Sequence, residues 1–233
     1  AHFNLANTGR PVEQQYAFCR RLRERMEARP EVAGAAYADI APLGFDGGPW
    51  QDIEVEGYMP RQGENMKLYR SLVAPGYFEL LGIPLLDGRD FTEEDGREAP
   101  PVMIVNQAFT KRFFGGGNPI GRKVRSWGRW HTVVGLARNA RYHEPAGTRE
   151  PYFYVPFRQA FSTGLNTAFF VRARGNLDEV ATALRQEAAA IDPSAAVLDA
   201  IPLSEHIGQA VYPLKVAATL LGVGFPYGTL LAN

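Results

Sequence analysis

The glycine-rich segment GGNPIGR at residues 116–122 is the part of the chain whose spacing comes nearest to a phosphate-binding loop. Such a loop requires a lysine and then a serine or threonine after its last glycine, because these residues hold phosphate and Mg²⁺. Arg122 and Lys123 stand there instead. The spacing therefore predicts a turn that leads into a strand, and it disfavours nucleotide binding.

Five carboxylates within nine residues could supply oxygen ligands to Ca²⁺: Asp87, Asp90, Glu93, Glu94 and Asp95. The alternating ligand spacing of an EF-hand loop is missing, so a calcium site is disfavoured. Thr92 precedes Asp95 by three residues, with two glutamates between them. This pattern predicts the first turn of a short helix with its acidic residues at the N-terminus.

The remaining reactive residue types form no catalytic pattern. The four histidines are far apart and include no H-E-x-x-H pair, and neither G-x-S-x-G nor S-x-x-K occurs. We expect each histidine to be a surface or strand residue. Cys19 is the only cysteine and lies in the apolar stripe of a predicted helix, which favours a buried thiol over a reactive one. The chain is not predicted to be an enzyme.

Charge is segregated along the chain although the formal net charge is zero. Residues 99–143 contain eight Lys or Arg and no Asp or Glu, whereas residues 39–98 contain thirteen acids and five bases. Trp127 and Trp130 lie in the basic run, and aromatic residues among cations also occur in single-strand nucleic-acid binders. With no overall positive field, nucleic acid is not an expected partner. We expect the basic run to dock on the acidic region, on an acidic partner or near anionic lipid headgroups.

Periodicity predicts a strand, helix and strand at each end of the chain. The first unit consists of a short strand at 2–6, an amphipathic helix at 12–29 and a strand at 32–40. The second consists of an alternating strand at 167–174, a helix capped by Asn176 with Glu179 three residues on, and a strand at 196–201. The units end alike, in AYADIAPL and AVLDAIPL.

The segment between these units reads as an insertion. Residues 75–157 are rich in Gly and Pro and contain short predicted strands at 102–105, 131–137 and 152–156. A hydrophobic content of 45% and a charged content of 21% are typical of a packed globular protein. The fold class is therefore α+β: two βαβ-type units that share one sheet, with both helices on one face, and an inserted small β-rich subdomain.

The last eighteen residues, 216–233, carry no charge and approach the roughly 20 apolar residues that a membrane helix needs. Gly222, Gly224, Pro226 and Gly228 would interrupt a helix there. We expect a truncated or engineered stub of a membrane helix, and a chain that was cut from a longer one.

Five motifs between Val73 and Val124 occur in the order and spacing of one family: APGYF, LGI, GRDFT, VN with a phenylalanine seven residues later, and NPIGR. In these motifs the chain resembles the extracytoplasmic domain of MacB/FtsX-type ABC transporter permeases. The weaker likeness continues toward both ends and covers nearly the whole chain. None of the motif residues forms a nucleophile, an acid/base pair or a metal ligand set, so the resemblance implies a shared shape.

The resemblance implies a porter-like α/β subdomain from residues 1–74 and 158–215, an inserted subdomain at 75–157, and the stub of a membrane helix at 216–233. It implies no catalytic, cofactor or metal residue. It assigns a structural or hinge role to ten motif residues, namely Pro75, Tyr77, Phe78, Gly82, Gly88, Arg89, Phe91, Asn118, Pro119 and Gly121. Tyr77, Phe78 and the NPIG turn are expected to fix the angle between the subdomains.

The same resemblance implies a mechanical function on the periplasmic face of a bacterial inner membrane. ATP would be hydrolysed by a separate cytoplasmic subunit or domain, and an exit helix at 203–221 would pass the motion to this domain for export or mechanotransmission. Expected partners are the chain's own transmembrane helices, the second permease half, the ATPase and a periplasmic adaptor or envelope protein. The alternative is a receptor module that binds a small molecule or peptide in the cleft between subdomains.

Overall fold

The computed structural model describes residues 1–3, 11–42, 49–140, 150–160, 167–195 and 197–208. The helices in this part are α1 (Val12–Glu27), α2 (Tyr77–Leu81), α3 (Gln107–Phe114), α4 (Phe157–Ala160) and α5 (Leu177–Ile191). The strands are β1 (His2–Phe3), β2 (Val32–Ala38), β3 (Trp50–Asp52), β4 (Glu54–Val55), β5 (Lys67–Val73), β6 (Leu85–Gly88), β7 (Val102–Asn106), β8 (Lys123–Ser126), β9 (Arg129–Ala137), β10 (Tyr152–Pro156), β11 (Thr167–Ala173) and β12 (Val197–Asp199). Residues 203–208 are helical as well.

Four strands from the two chain ends lie side by side in the order β12-β1-β11-β2. All neighbours in this group are antiparallel. Helices α1 and α5 pack against each other beneath it, and Glu187 accepts hydrogen bonds from Arg25 and Arg29 at 3.3 and 3.1 Å. We call these four strands and two helices the end layer. They confirm the predicted pair of strand–helix–strand units on one sheet.

Sequence periodicity accounts for the two faces of the end layer. Helix α1 buries one stripe, including Cys19, Leu22 and Met26, and ends just before Pro30. Strand β2 alternates, with Tyr37 in the core beneath α1 and α5 and Ala36 in a second core on the opposite face. Burial of each large apolar side chain stabilises the fold by about 1.5 to 3 kcal/mol.

The remaining strands continue the sheet in the order β5-β10-β7-β9-β8-β4, with β6 paired to β9. Strands β3 and β4 follow each other in the chain, but β3 pairs with β5 and β4 pairs with β8, so together they close the circuit. We call this group the ring. It includes β3 to β5, which precede residue 75, and α3 packs on β7 and β10.

The end layer and the ring meet along a narrow seam between β2 and β5. The two strands share one register pair, Ala38 and Val73, flanked by two backbone hydrogen bonds of 3.0 and 2.9 Å. Strand β5 instead pairs with β10 over five residues, from Tyr69 to Val73. Backbone pairing is therefore far more extensive within the ring than across the seam.

One detail differs from the sequence predictions and another agrees with them. Residues 92–95 form a turn that does not continue into a helix. The Thr92 N–H donates to the Asp95 side chain as in a capping box, but Arg89 also binds that carboxylate and a glycine, Gly96, follows. The Asn176 side chain caps α5 by accepting from the Asp178 backbone at 2.9 Å, and Glu179 contacts the cap side chain. No helix in the described part of the chain is long and apolar enough to span a membrane, and residues 209–233, with the expected stub, lie outside that part.

Candidate functional site

Seven of the ten motif residues lie at one junction, where the short helix α2 sits between the end layer and the ring. Two left-handed glycines delimit α2: Gly76 at its start has φ 81° and Gly82 at its end has φ 67°. The Gly82 N–H donates to the Glu79 carbonyl at 3.1 Å and the Ile83 N–H to the Phe78 carbonyl at 2.8 Å, which is a Schellman motif. The P-G-Y-F and L-G-I motifs thus encode a one-turn helix with fixed ends.

The two aromatic residues of α2 face different parts of the molecule. Tyr77 is fully buried, and its ring centroid lies 5.8 Å from that of Phe170 in β11 of the end layer. Phe78 is 1% exposed, and its ring lies 4.8 Å from Tyr154 in β10 and 6.3 Å from Phe91. Tyr77 therefore packs α2 against the end layer, and the adjacent Phe78 packs it against the ring.

Arg172 in β11 adds a polar contact to the same helix. Its Nη2 donates to the Leu80 carbonyl and lies 3.4 Å from the Glu79 carbonyl, at the C-terminal end of α2. A cation at that end also interacts favourably with the helix dipole. This contact also holds α2 against the end layer.

Gly88 allows β6 to approach β9 more closely than any other residue could. Its φ is 76°, and a Cβ placed on it would lie 2.2 Å from the Val134 carbonyl oxygen. Gly135, its register partner in β9, is equally confined, since a Cβ there would lie 2.6 Å from the Arg89 carbonyl. The sequence motifs indicated Gly88 but gave no signal for Gly135.

The next motif residue, Arg89, closes the loop of residues 89–95. Its Nη1 and Nη2 donate to the two carboxylate oxygens of Asp95 at 2.7 and 2.9 Å, and the Thr92 backbone donates to the same carboxylate at 2.8 Å. Burial alone would raise the pKa of Asp95, but these hydrogen bonds outweigh it and hold the pKa below its usual value. Phe91 points into the core, 3% exposed.

The closed loop is attached to α1 through Glu93. The carboxylate accepts from the Tyr16 hydroxyl at 2.7 Å and from Arg23 Nη2 at 2.6 Å. Burial and this hydrogen bond raise the pKa of the Tyr16 hydroxyl to about 12. Arg23 also reaches the Pro75 carbonyl at 3.5 Å, so the loop, α1 and the start of α2 converge.

The NPIG turn lies elsewhere, on the ring side of β6. The Asn118 side chain donates to Asp87 at 3.2 Å and accepts from the Ile120 backbone at 2.8 Å, while the Gly121 N–H donates to the Val133 carbonyl. Its described contacts are with β6 and β9, so it supports Gly88 from within the ring and does not reach α2. The turn continues into β8, as predicted.

A buried ion pair at the seam was missed in the sequence analysis. Asp39, directly after β2, pairs with Arg70 of β5 and also accepts from the Leu72 backbone at 2.8 Å. Both residues are less than 10% exposed. The Arg70 guanidinium lies 5.5 Å from the Trp127 ring centroid, at the tip of the β8–β9 hairpin. The available signal was the lone carboxylate in the apolar segment AYADIA and the arginine inside the strand segment KLYRSLV, whose other charge, Lys67, stands at the first position of the strand.

Within the ring, ion pairs join residues of the basic run (99–143) to residues of the acidic region (39–98). Arg112 pairs with Glu64 at 2.8 Å and Arg125 with Glu54 at 3.2 Å. The pKa of Glu64 is lowered to about 2 by hydrogen bonds from the Arg61 backbone, Tyr58 and Arg112. These contacts confirm that part of the basic run docks on the acidic region.

The described residues include no group of three His, Cys, Asp or Glu side chains that could hold a metal ion. Cys19 is buried, and burial raises its pKa to about 12, which disfavours the reactive thiolate. The contacts at the junction are hydrogen bonds, ion pairs and ring packing.

The chain was compared with known proteins. The model of the MacB-like periplasmic core domain family matches residues 22–188. The periplasmic region of MacB from Actinobacillus actinomycetemcomitans is 14% identical, with a TM-score of 0.53 and 90% of each chain covered. The extracellular domain of the noncanonic ABC-type transporter YknZ from Gram-positive bacteria is 18% identical, with a TM-score of 0.49, covering 73% of this chain and 79% of that one. No curated protein matches.

The MacB structure shows the same overall fold despite the low identity. The family model covers well over half of the sequence, including the motifs around α2, the loop 89–95 and the NPIG turn. The chain therefore belongs to the family of MacB-like periplasmic core domains of ABC transporter permeases.

Proposed function

We propose that this chain couples ATP hydrolysis on the cytoplasmic side to export or mechanotransmission across the envelope, by transmitting motion from membrane helices through the junction at α2. The family membership makes it an extracytoplasmic domain of a permease. The proposal adds three features to this membership: the coupling role, the attachment to transmembrane helices and a second permease half, and a separate ATPase. A periplasmic adaptor or envelope protein would receive the motion.

The observation that carries this proposal is the narrow seam. Two well-paired bodies share one strand register pair, so a change in their relative angle breaks few backbone hydrogen bonds. Rigid elements joined at a few positions are the usual basis of hinge motion. The side-chain contacts that cross the seam include those of Tyr77, Glu93 and Asp39 and the packing of Tyr37 on Phe157 in the shared core, and they would then set the angle at rest.

We also propose a division of the chain that follows the sequence boundaries 1–74, 75–157, 158–215 and 216–233, except that residues 50–73 belong with the inserted part. The pairing of β3 to β5 with insertion strands means that residues 50–73 would move with the inserted part. We therefore place the moving boundary at the seam between β2 and β5. No cofactor in this chain is needed for such motion, since ATP would act on a separate domain or subunit.

The test measures distances across the seam in the full-length transporter with its ATPase. Spin labels at Met59→Cys in the ring and Leu177→Cys on α5 use two positions that are 89% and 54% exposed. The native Cys19 is buried and would not be labelled. We expect the distance distribution to shift when ATP and vanadate are added. A control pair within the ring, Met59→Cys and Leu86→Cys, should not shift.

A disulfide lock gives the functional readout. Ala38 and Val73 form a non-hydrogen-bonded antiparallel pair, whose Cα atoms typically lie about 4.5 Å apart, a separation that a disulfide can span. The oxidised Ala38→Cys/Val73→Cys variant should retain ATP hydrolysis and lose coupled output, and reduction should restore it. An unchanged distance across the seam, or full output in the locked state, would contradict the proposal.

A receptor function is the second candidate, because an apolar groove lies between α2 and β11. Its lining includes Leu80, Leu81, Phe170, Val171 and Leu203, and its volume is about 220 Å³. Pockets for drug-sized ligands usually hold roughly 300 to 1,000 Å³, so the groove suits a small apolar side chain or fragment. A thermal-shift screen with hydrophobic peptides and antibiotics tests it, since a specific ligand raises the midpoint.

A further inference from the structure

The tip of the β8–β9 hairpin carries a bulky residue where the turn favours a small one. The two turn residues, Trp127 and Gly128, have φ values of 48° and 73°. Two positive φ values in a two-residue hairpin loop are those of a type I′ turn, whose first position usually holds Asn, Asp or Gly. Trp127 is the only residue other than glycine with a positive φ in the described part of the chain. Contacts of its indole must therefore offset the strain of this backbone.

The indole of Trp127 packs over the inner face of the ring at one end. Its centroid lies 5.5 Å from the Arg70 guanidinium carbon, 6.2 Å from the centre of the His131 imidazole and 6.3 Å from the centre of the Phe153 ring. Phe153 is the register partner of Arg70, so both side chains lie on the same face of the sheet. Strands β5, β9 and β10 thus all contribute a contact to this one side chain.

The groups around the indole are polar and buried. Ser126 in β8 and His131 in β9 are diagonal neighbours on the inner face of the hairpin, because His131 is the register partner of Val124. Arg70, Ser126 and His131 are 7%, 2% and 4% exposed, whereas Trp127 itself is 38% exposed. We call Arg70, Ser126 and His131 the polar cluster. Trp127 is its cover, because the indole is the part that meets solvent.

The polar cluster is incompletely satisfied while it is covered. Arg70 Nε and Ser126 Oγ are buried and have no hydrogen-bond partner among the described residues. Burying a polar atom without a partner costs free energy, and exposure to water would remove that cost. The covered arrangement is therefore held by the contacts of the Trp127 indole and not by the polar groups beneath it.

Arg70 joins the polar cluster to the seam. Its guanidinium pairs with the carboxylate of Asp39, which directly follows β2 of the end layer and also accepts from the Leu72 N–H at 2.8 Å. Within the described residues, Asp39 is the only carboxylate that pairs with Arg70. The same guanidinium lies near enough to the Trp127 indole for cation–π attraction. One side chain therefore contacts both the end layer and the hairpin tip.

We propose that Arg70 couples the Trp127 cover to the seam. When Asp39 moves away, the buried guanidinium loses its anion, which is strongly unfavourable. The guanidinium then moves toward water past Trp127, the exposed side of the polar cluster, and the strained turn is released. Ser126 and His131 become accessible to solvent. The coupling is a property of these side chains alone, whereas its use during transport, when the seam would widen, rests on the proposed function.

The test measures the access of a thiol reagent to position 126 in the purified full-length permease. Ser126→Cys places a thiol beneath Trp127, where N-ethylmaleimide can react with it only when the cover is open. The labelling rate of a closed site follows the population of its open form. The permease without this substitution gives the background rate, to which the buried Cys19 contributes little. We expect the Ser126→Cys protein to label slowly.

Substitutions in the Ser126→Cys protein separate the coupling from a loss of stability. Asp39→Asn should raise the labelling rate by about tenfold or more, because the guanidinium loses its anion. Trp127→Gly should also raise the rate, and adding Asp39→Asn to it should change nothing further. Arg70→Met/Asp39→Leu should label slowly, since no buried charge remains. Phe109→Ala removes a buried aromatic side chain that packs on Phe113, and it should label slowly as the stability control.

Four results would each overturn the proposal. They are slow labelling in Asp39→Asn, slow labelling in Trp127→Gly, fast labelling in Phe109→Ala, and fast labelling in Arg70→Met/Asp39→Leu. The Trp127→Gly result decides the matter even if Asp39→Asn fails to fold, because it tests the cover without breaking the ion pair.

ATP and vanadate are then added to the Ser126→Cys permease with its ATPase. We expect faster labelling in the otherwise wild-type protein and no change in Arg70→Met/Asp39→Leu. If the spin-label distance across the seam shifts while the labelling rate does not, the coupling through Arg70 is refuted and the proposed function stands. If Asp39→Asn labels fast but neither distance nor rate responds to ATP, the proposed function is refuted and the coupling stands.

Discussion

Arg89 and Asp95 form a two-point ion pair, with Arg89 Nη1 2.7 Å from Asp95 Oδ2 and Nη2 2.9 Å from Oδ1. The pair closes the loop of residues 89–95. The Glu93 carboxylate in this loop accepts hydrogen bonds from Tyr16 and Arg23 of α1. The arginine of the G-R-x-F-T motif therefore shapes a connection between the ring and the end layer. Its partner is a residue three positions beyond the end of the motif.

Asp95→Asn should lower the free energy of unfolding by about 1 to 2 kcal/mol at pH 7, because it removes a charged acceptor of three hydrogen bonds. We expect a loss at the lower end of the range for hydrogen bonds to charged groups, because Arg89 is half exposed and solvent screens the ion pair. The folded-state pKa of Asp95 lies below its unfolded value, so this stability is present above about pH 4 and is lost as pH falls through the folded pKa.

Urea unfolding at several pH values measures this dependence. The stability difference between wild type and Asp95→Asn should shrink between pH 5 and the acid limit. Arg89→Lys serves as the control, since it keeps the charge and loses the two-point geometry, and it should cost less. A difference that stays constant with pH would show that the carboxylate charge is not the cause.

Gly88→Ala should destabilise the protein by about 2 to 4 kcal/mol, since the new Cβ would meet the Val134 carbonyl and the left-handed φ would be strained. Gly63→Ala is the matched control. Gly63 has a φ of 77° with nothing within 4 Å of an added Cβ, so only the conformational cost of about 1 kcal/mol applies. Similar losses in the two variants, measured by urea unfolding, would refute the close-approach explanation.

Phe78→Ala should cost about 3 to 5 kcal/mol and change the angle between ring and end layer, because Phe78 fills the space between α2 and Tyr154. Small-angle scattering of the folded variant measures the angle. Phe109→Ala removes an equally buried ring that packs on Phe113, and it should lower stability without changing the scattering curve. Unchanged stability and scattering in Phe78→Ala would refute the hinge role.

Arg23 and Glu93 should show a coupling free energy of about 1 kcal/mol in a double-mutant cycle to alanine, because Arg23 is largely buried. The pair Glu13 and Arg97 joins the same helix to the same region, but both side chains are more than half exposed. Its coupling should fall within the few tenths of a kcal/mol typical of surface pairs. Comparable coupling in both cycles would mean that Glu93 does not anchor the loop.

Arg70→Met alone should destabilise the fold by about 3 to 5 kcal/mol, because it leaves the Asp39 carboxylate buried without its cation. The double variant Arg70→Met/Asp39→Leu should recover most of this loss, since no buried charge remains. Thermal and urea unfolding measure both. A double variant no more stable than the single one would place the contribution of Arg70 in packing against Trp127 instead.

The sequence predicted those elements whose cause is local. Apolar spacing in α1 and α5, alternation in β11 and the Asn176 cap all act within a few residues, and each of these elements was found. These features depend on propensity and periodicity, which a single chain displays.

The features that escaped prediction depend on distant residues. The Asp39–Arg70 pair, the contact of Glu93 with α1 and the closure of the ring by β3 and β4 each join segments that are not neighbours in the sequence. The confinement of Gly135 is visible only once β6 lies beside β9. The predicted helix at Thr92 failed for the same reason, because Arg89 draws Asp95 into a turn.

The strand order of the end layer also has a consequence for biosynthesis. Strand β1 is made first, yet both of its neighbours, β11 and β12, are made last. At about 5 to 20 residues per second, β1 waits roughly 10 to 40 s for them. The ring, whose strands all lie between residues 50 and 156, can form in the meantime. Strand β1 therefore has no strand to pair with until β11 has been synthesised.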